Sequence, residues 1–142
     1  MTGNRAGTKQ RNKNLMVQPR DLRLLRKLSM LRVVDREQAK LVAGFHSTTR
    51  ANARLLALTR AGLLRRCFLG SGGGRKALYI LSAKGAQLAG VPCRGPRRRN
   101  DEMLTADYFI QHQLTVNDLY CSLKHTPPPP GAAFRRWLAF YQ

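Results

Sequence analysis

Two helical patterns separated by a short glycine-containing turn constrain the fold of this chain more than any other feature. Asp35 and Gln38 have the spacing of a capping box at the start of the first helix, and Gly44 ends that helix. Ser47 or Thr48 then caps the next helix, whose inner stripe consists of Ala51, Leu55 and Leu58. Two helices joined in this way predict a helix-turn-helix.

A β-hairpin is predicted directly after these two helices. Residues 63–69 and 77–81 are short apolar runs, and the glycine-rich segment between them carries Arg75 and Lys76. Ser82 caps a brief helix after the hairpin, and Pro19 opens a helix before the helix-turn-helix. The sequence therefore predicts a mainly α fold with a small β-hairpin wing (α+β), a winged helix-turn-helix over residues 19–92 followed by a long C-terminal helix.

The segments that flank this domain differ from it in composition. Residues 1–18 are basic and poor in apolar side chains, which predicts a disordered arm, and residues 93–100 form an arginine-rich linker. Residues 101–125 are expected to form an amphipathic helix, and residues 126–142 a polyproline spacer with an aromatic and basic tail. We expect this helix to pair two copies in a homodimer, with packing on its own domain as the alternative. Its apolar stripe comprises Phe109, His112, Val116, Leu119 and Leu123.

The charge balance indicates the class of partner. The chain has 26 Lys and Arg against 7 Asp and Glu, a net charge of +19, and its hydrophobic fraction of 43% still allows a packed core. Such an excess attracts polyanions and makes nucleic acid the expected partner. We expect double-stranded DNA; nonspecific binding of DNA or RNA as an accessory protein is the alternative.

In a helix-turn-helix, the N-terminal half of the second helix enters the major groove. Arginine pairs with guanine and asparagine with adenine, so Arg50 and Asn52 are the main candidates for base contacts. A solvated helix face is the alternative interpretation of the same residues. The predicted base-contacting residues are Thr48, Thr49, Arg50, Asn52 and Ala53. The predicted phosphate-contacting residues are Ser47, Arg54, Arg60, Arg65, Arg66, Arg75 and Lys76.

Several classes of function lack support in the sequence. The three cysteines have no CxxC spacing, so we expect neither a disulfide framework nor a metal site. Cys67 could be a reactive thiol, although a buried structural role is the stronger expectation. The glycine-rich segment lacks the Lys-Ser/Thr ending of a phosphate-binding loop. We therefore expect no enzyme activity and no cofactor. No apolar run is long enough to predict a membrane span, and a cytoplasmic location is expected.

Two parts of the sequence resemble known proteins. The stretch RLLALTRAGLLRR at residues 54–66, with ALYIL at 77–81 and SAKG at 82–85, resembles the recognition helix and wing of many winged-helix regulators. The stretch HQLTVNDL at residues 112–119 is similar to the His-x-Leu-x-Val-Asn-Asp segment of the replication-relaxation family, known mainly from plasmids and other mobile elements of actinobacteria.

The second resemblance implies winged-helix DNA binding in the replication, transfer or regulation of a mobile element. Members of that family generally continue into a further mixed domain, so the resemblance implies a relative truncated after the winged-helix region. It leaves a sequence-specific transcription regulator and a replication or relaxase accessory factor open as alternatives.

Overall fold

An α+β fold is observed, which confirms the predicted fold class. The structure is a computed structural model that describes residues 15–71, 74–104 and 107–138, so most of the predicted arm, residues 1–14, lies outside the described residues. In the described part, the helices are α1 (Pro19–Leu31), α2 (Arg36–Ala43), α3 (Thr48–Arg60), α4 (Ala83–Ala89) and α5 (Tyr108–His125). The strands are β1 (Val33–Asp35), β2 (Leu64–Ser71), β3 (Gly74–Leu81) and β4 (Glu102–Leu104).

The caps of α2 and α3 form as the sequence predicts. The Asp35 carboxylate accepts a hydrogen bond from the Gln38 N–H at 2.8 Å, and the Gln38 side chain accepts one from the Asp35 N–H at 3.2 Å. Gly44 ends α2 in the left-handed region, with a φ of 77° that disfavours residues with a side chain. The Ser47 hydroxyl accepts a hydrogen bond from the Arg50 N–H and so caps α3.

The four strands form one sheet in the order β1-β3-β2-β4. Strands β2 and β3 form the predicted antiparallel hairpin, β1 pairs antiparallel with the other edge of β3, and β4 pairs parallel with β2. The hairpin strands are longer than predicted, so Arg75 and Lys76 lie within β3 instead of on a loop. Residues 72–73 of the predicted tip lie outside the described residues.

Both faces of the sheet are covered. Leu64, Tyr79 and Leu81 belong to the main core, which they share with buried residues of the first four helices. Cys67, Leu78 and Ile80 alternate with them along the strands and pack with Ile110 and Leu114 of α5 in a second core. Helix α5 therefore covers the sheet face opposite the other helices.

The C-terminal helix is shorter than predicted. It begins at Tyr108, where the Asp107 carboxylate caps the Ile110 N–H, and Glu102–Leu104 forms β4 instead of a helical turn. Two acidic residues near the start of the predicted helix pair with arginines: Asp101 with Arg66 and Asp107 with Arg98. The exposed edge of β2 supplies the backbone partners that draw this segment into the sheet.

Helix α5 packs on its own domain, which is the alternative to pairing that the sequence left open. The buried Asn117 amide donates to the carbonyl oxygens of Leu31 and Val33, at 3.0 and 2.6 Å. The Gln38 amide donates to the carbonyl oxygen of Leu114 and to Asp118. These contacts fix α5 against the β1 end of the sheet.

The apolar stripe predicted for pairing lies on a different side of α5 from the residues that pack on the domain. Phe109, Leu119 and Leu123 are 46%, 55% and 51% exposed, His112 is exposed and Val116 is half-buried. Helix α5 therefore carries apolar residues on two sides, and its own domain covers the one formed by Ile110, Leu114 and Cys121.

The segment that follows α4, including the predicted linker at residues 93–100, packs against the domain. The Ser29 hydroxyl donates to the Pro92 carbonyl oxygen at 2.6 Å, and the Cys93 thiol donates to the Leu81 carbonyl oxygen at 3.4 Å. A Cβ at Gly95 would lie 2.5 Å from Ile80 Cγ2 and 2.9 Å from the Arg32 carbonyl oxygen. Only glycine permits this close approach, and residues 93–100 thereby connect α4 to β4 along the sheet.

Candidate nucleic-acid interface

One side of α3 is exposed along the predicted base-contacting residues. Its inner stripe of Ala51, Leu55 and Leu58 is buried, as predicted. Thr49, Arg50, Asn52 and Ala53 are exposed on the remaining surface of the helix. Within the described part of the chain, the side chains of Arg50 and Asn52 make no hydrogen bond or ion pair, so their donors are available to an external partner.

A groove of about 310 Å³ separates α3 from β3. Asn52 lines it from α3, and Arg75 and Tyr79 are among the residues that line it from β3. The start of α2 closes one end through Arg36 and Glu37. The fold thus brings a predicted base-contacting residue and two predicted phosphate-contacting residues, Arg75 and Lys76, to the same concave surface.

The Phe68 ring contacts the side chains of two arginines in the hairpin. Arg66, Phe68 and Arg75 lie on the same face of the hairpin as Tyr79, because their positions alternate along the paired strands. The guanidinium carbons of Arg66 and Arg75 lie 5.1 and 4.6 Å from the centre of the Phe68 ring, within the range of a cation–π interaction. Arg66 also pairs with Asp101 at 2.8 Å.

Lys76 and Arg65 have different neighbours from the two arginines beside the Phe68 ring. The Lys76 ammonium lies 3.6 Å from the Asp35 carboxylate, and its side chain is 58% exposed. Arg65 pairs in register with Ile80, so it lies on the face of the sheet that α5 covers. Its guanidinium donates weakly to the Arg98 carbonyl oxygen at 3.4 Å. The structure therefore separates Arg65 from the groove, although it directly precedes Arg66 in sequence.

Arg54 is engaged within the protein instead of being exposed for a phosphate contact. Its Nε donates to Asp21 Oδ1 at 2.9 Å, and its Nη2 donates to Asp21 Oδ2 and to the Met16 carbonyl oxygen. Asp21 is 1% exposed and also accepts from the Gln18 N–H. The hydrogen bond to Asp21 raises the pKa of Arg54, which keeps the guanidinium charged. Arg54 thus joins α3 to the start of α1.

The remaining predicted residues divide between caps and exposed positions. Ser47 caps α3, and the Thr48 hydroxyl accepts a hydrogen bond from the Lys40 ammonium at 2.8 Å. Arg60 is exposed at the end of α3. Lys40 and Phe68 position residues of this surface, although neither was among the predicted site residues. Arg66, Phe68 and Gly70 alternate along one face of β2, and this alternation could have placed Phe68 beside Arg66. Nothing in the sequence indicated the contact between Lys40 and Thr48 across the α2–α3 turn.

Two of the three cysteine thiols are unreactive in character. Cys67 and Cys121 are buried, and burial raises the pKa of each to about 11, so little thiolate exists near neutral pH. Cys67 therefore has the structural environment that the sequence favoured. Within residues 15–71, 74–104 and 107–138, no group of three His, Cys, Asp or Glu side chains is placed to hold a metal ion. No helix in this described portion meets the length and hydropathy needed to span a bilayer.

The fold and its helix–hairpin surface define a small α+β protein with a charged groove, which Arg36, Arg75 and Lys76 line together with Asp35 and Glu37. The model of the replication-relaxation family matches residues 21–140, and the chain belongs to that family. This match confirms the resemblance seen in the sequence. No curated protein and no solved structure matches the chain significantly.

The structure explains the family-like segment HQLTVNDL at residues 112–119. Its Leu114 is buried against the sheet, its Asn117 binds two carbonyl oxygens of the α1–β1 connection, and its Asp118 accepts a hydrogen bond from Gln38. His112 is exposed. The segment therefore serves to attach α5 to the domain.

Proposed function

We propose that this protein is a winged-helix protein that binds duplex DNA during the replication or mobilisation of a plasmid or other mobile element. The observation that carries the proposal is the groove between α3 and β3, where Asn52 lies opposite Arg75 and Tyr79. Family membership supports the process. In this proposal α3 is the recognition helix and the β2–β3 hairpin is the wing.

The proposed mechanism assigns sequence reading and backbone binding to different elements. Helix α3 enters the major groove, where Arg50 and Asn52 can each make two hydrogen bonds to a base edge. Thr49 and Ala53 offer a hydroxyl and a methyl group beside them. The hairpin cations Arg75 and Lys76, together with Arg60 and Arg66, bind phosphates and fix the orientation of α3. The proposal includes no catalytic step and no cofactor.

The test compares two double variants by fluorescence anisotropy on the preferred duplex, on random duplex and on RNA, from about 50 to 200 mM salt. Arg50→Ala with Asn52→Ala should cost about 1–3 kcal/mol per base contact on the preferred duplex only. Arg75→Ala with Lys76→Ala should weaken binding to every duplex and lower the salt dependence. Arg26→Ala, at an exposed position on α1, removes one charge and is the control for the charge lost with Arg50.

The outcomes separate the proposal from its alternatives. Equal losses on random duplex from both double variants would contradict base contacts by α3. Comparable, steeply salt-dependent binding to all three nucleic acids would identify a nonspecific accessory protein instead. A preferred duplex from the protein's own upstream region would favour a transcription regulator, and one from a replication origin would favour a replication factor.

The exposed stripe of α5 supports a homodimer as part of the same proposal. Phe109, Leu119 and Leu123 remain about half exposed after α5 has packed on its own domain. A two-fold mate would cover this stripe and would present two copies of α3 to adjacent turns of DNA. We expect sedimentation equilibrium at micromolar concentration to give a dimer.

The dimer test uses Leu119→Glu with Leu123→Glu, which should give a monomer of 16.0 kDa because the two charges would be buried at the interface. Gln111→Glu, at another exposed position of α5, is the control and should remain dimeric. A wild-type monomer under these conditions would remove the dimer from the proposal.

A further inference from the structure

A basic cavity lies where α1, α2 and α5 meet. Its volume is about 310 Å³, and it shares no residue with the groove between α3 and β3. Arg23 and Lys27 line it from α1, and Lys124 and His125 line it from the end of α5. None of its lining residues is acidic.

No described residue neutralises the charge of this cavity. In the described part of the chain, the side chains of Arg23, Lys27 and Lys124 make no ion pair. The chain's acidic side chains are all engaged by hydrogen bonds or ion pairs elsewhere: Asp21, Asp35, Glu37, Asp101, Glu102, Asp107 and Asp118. Three basic side chains therefore share one concave surface, and no described residue supplies a counter-charge there.

The lowered pKa of His125 is consistent with repulsion between these positive charges. Partial burial lowers the pKa of His125, and the positive charges of Lys124 and Lys27 lower it further. Arg23 is the other charged group that lines the cavity, and α2 contributes only the uncharged Leu41, Val42 and Gly44. An anion bound here would offset the repulsion and favour the imidazolium form.

The cavity also has an apolar side. Leu41 and Val42 line it, and Tyr120 lines it from a position only 2% exposed. Lys27 lies over the Tyr120 ring at 5.6 Å, so cationic and aromatic surface are adjacent. A ligand with a phosphate group and a flat or apolar body would match both parts of the site.

We propose that Arg23, Lys27, Lys124 and His125 form a binding site for a phosphate-bearing small ligand of the nucleotide class. The cations bind the phosphate, and the half-exposed Leu41 contacts the sugar or base, with Val42 and Tyr120 packed beneath it. Arg23 connects the site to the α2–α3 turn, since its Nη1 lies 3.8 Å from where a Cβ on Gly44 would stand. This site is independent of whether α3 binds DNA.

The experiment uses NMR to follow the ring protons of the three histidines in the full chain while the pH is varied. The probes are inorganic phosphate, AMP, ATP and a duplex of about 16 bp, and a His125→Gln variant assigns the signals. We expect AMP and ATP to shift the His125 signal and to raise its pKa, because a bound phosphate favours the imidazolium form. His46 and His112 lie outside the cavity and should not change.

Paired variants test the residues. Arg23→Gln with Lys124→Gln should weaken AMP and ATP binding about tenfold or more, because charge-assisted hydrogen bonds are lost. Arg26→Gln with Arg135→Gln removes the same charge from exposed positions outside the cavity and should leave binding unchanged. Unchanged far-UV circular dichroism verifies that both variants fold.

Three results would overturn the proposal. One is the absence of any His125 response to phosphate, AMP and ATP at about 10 mM, which is far weaker than a built site would bind. Another is an equal loss of affinity in the two paired variants, which would indicate general charge attraction. A His125 response to duplex alone would overturn a nucleotide ligand and assign the cavity to DNA phosphates.

Discussion

At the scale of single residues, the Asp21–Arg54 ion pair is the contact that most directly links the proposed recognition helix to the rest of the domain. The pair joins α3 to the capping box at the start of α1, and Arg54 also holds the Met16 carbonyl oxygen. Asp21 is buried, so the loss of either partner leaves a charge or a backbone donor unsatisfied. The pair therefore sets where the N-terminal segment leaves the domain.

Asp21→Asn should lower the free energy of unfolding by about 2–3 kcal/mol in urea denaturation, since Arg54 would keep its charge in a partly buried site. Glu37→Gln is the matched control, because Glu37 is exposed and its pairs with Arg36 and Lys40 should contribute less than about 0.5 kcal/mol. The double variant Asp21→Asn with Arg54→Met should recover part of the loss. A loss below about 0.5 kcal/mol for Asp21→Asn would contradict this role.

At the scale of elements, α5 stabilises the fold because it donates hydrogen bonds to buried backbone carbonyl oxygens. Asn117 is fully buried, and its amide binds the carbonyl oxygens of Leu31 and Val33 where α1 gives way to β1. The Gln38 side chain that completes the α2 capping box also binds α5. One helix thereby fixes the positions of α1, β1 and α2.

Asn117→Ala should lower the free energy of unfolding by about 2–4 kcal/mol, because it removes the two buried hydrogen bonds to the carbonyl oxygens of Leu31 and Val33. Urea denaturation followed by circular dichroism measures this loss. Gln111→Ala, at an exposed position of α5, is the control and should change stability by less than about 0.5 kcal/mol. Equal stability of the two variants would show that α5 docks through its apolar residues alone.

At the scale of the whole molecule, the net charge of +19 opposes the compact state. The acidic side chains are too few to neutralise the basic ones, and within the described residues the exposed side chains of Arg26, Arg97 and Arg99 make no ion pair. Self-repulsion of this kind is screened by salt. The same excess that attracts nucleic acid should therefore make stability depend on ionic strength.

The melting temperature should rise by about 4 °C between about 50 and 300 mM sodium chloride, which corresponds to roughly 1 kcal/mol for a domain of this size. Differential scanning calorimetry measures the change. Arg26→Glu with Arg97→Glu lowers the net charge by four from +19 at exposed positions and should reduce the salt effect. A melting temperature that falls with salt would mean that ion pairs such as Arg98–Asp107 outweigh the repulsion.

The local elements of this protein follow from its amino-acid sequence, because their signals act over a few residues. The caps at Asp35, Ser47 and Ser82 and the inner stripe of α3 are set by neighbours three or four positions apart. The HQLTVNDL segment at residues 112–119 likewise indicated the family from eight consecutive residues, and the family match over residues 21–140 confirms it.

Contacts between distant residues depend instead on how these elements pack together. Arg54 and Arg66 are only 12 positions apart, yet Arg54 pairs with Asp21 and Arg66 pairs with Asp101. No local pattern in the sequence indicates either ion pair. The pleating of β2 places Arg65 and Arg66 on different faces of the sheet. The free edge of β2 pairs with Glu102–Leu104, so these residues form a strand instead of part of the predicted helix. Helix α5 has apolar residues on two sides, and only the sheet surface determined which side it buries.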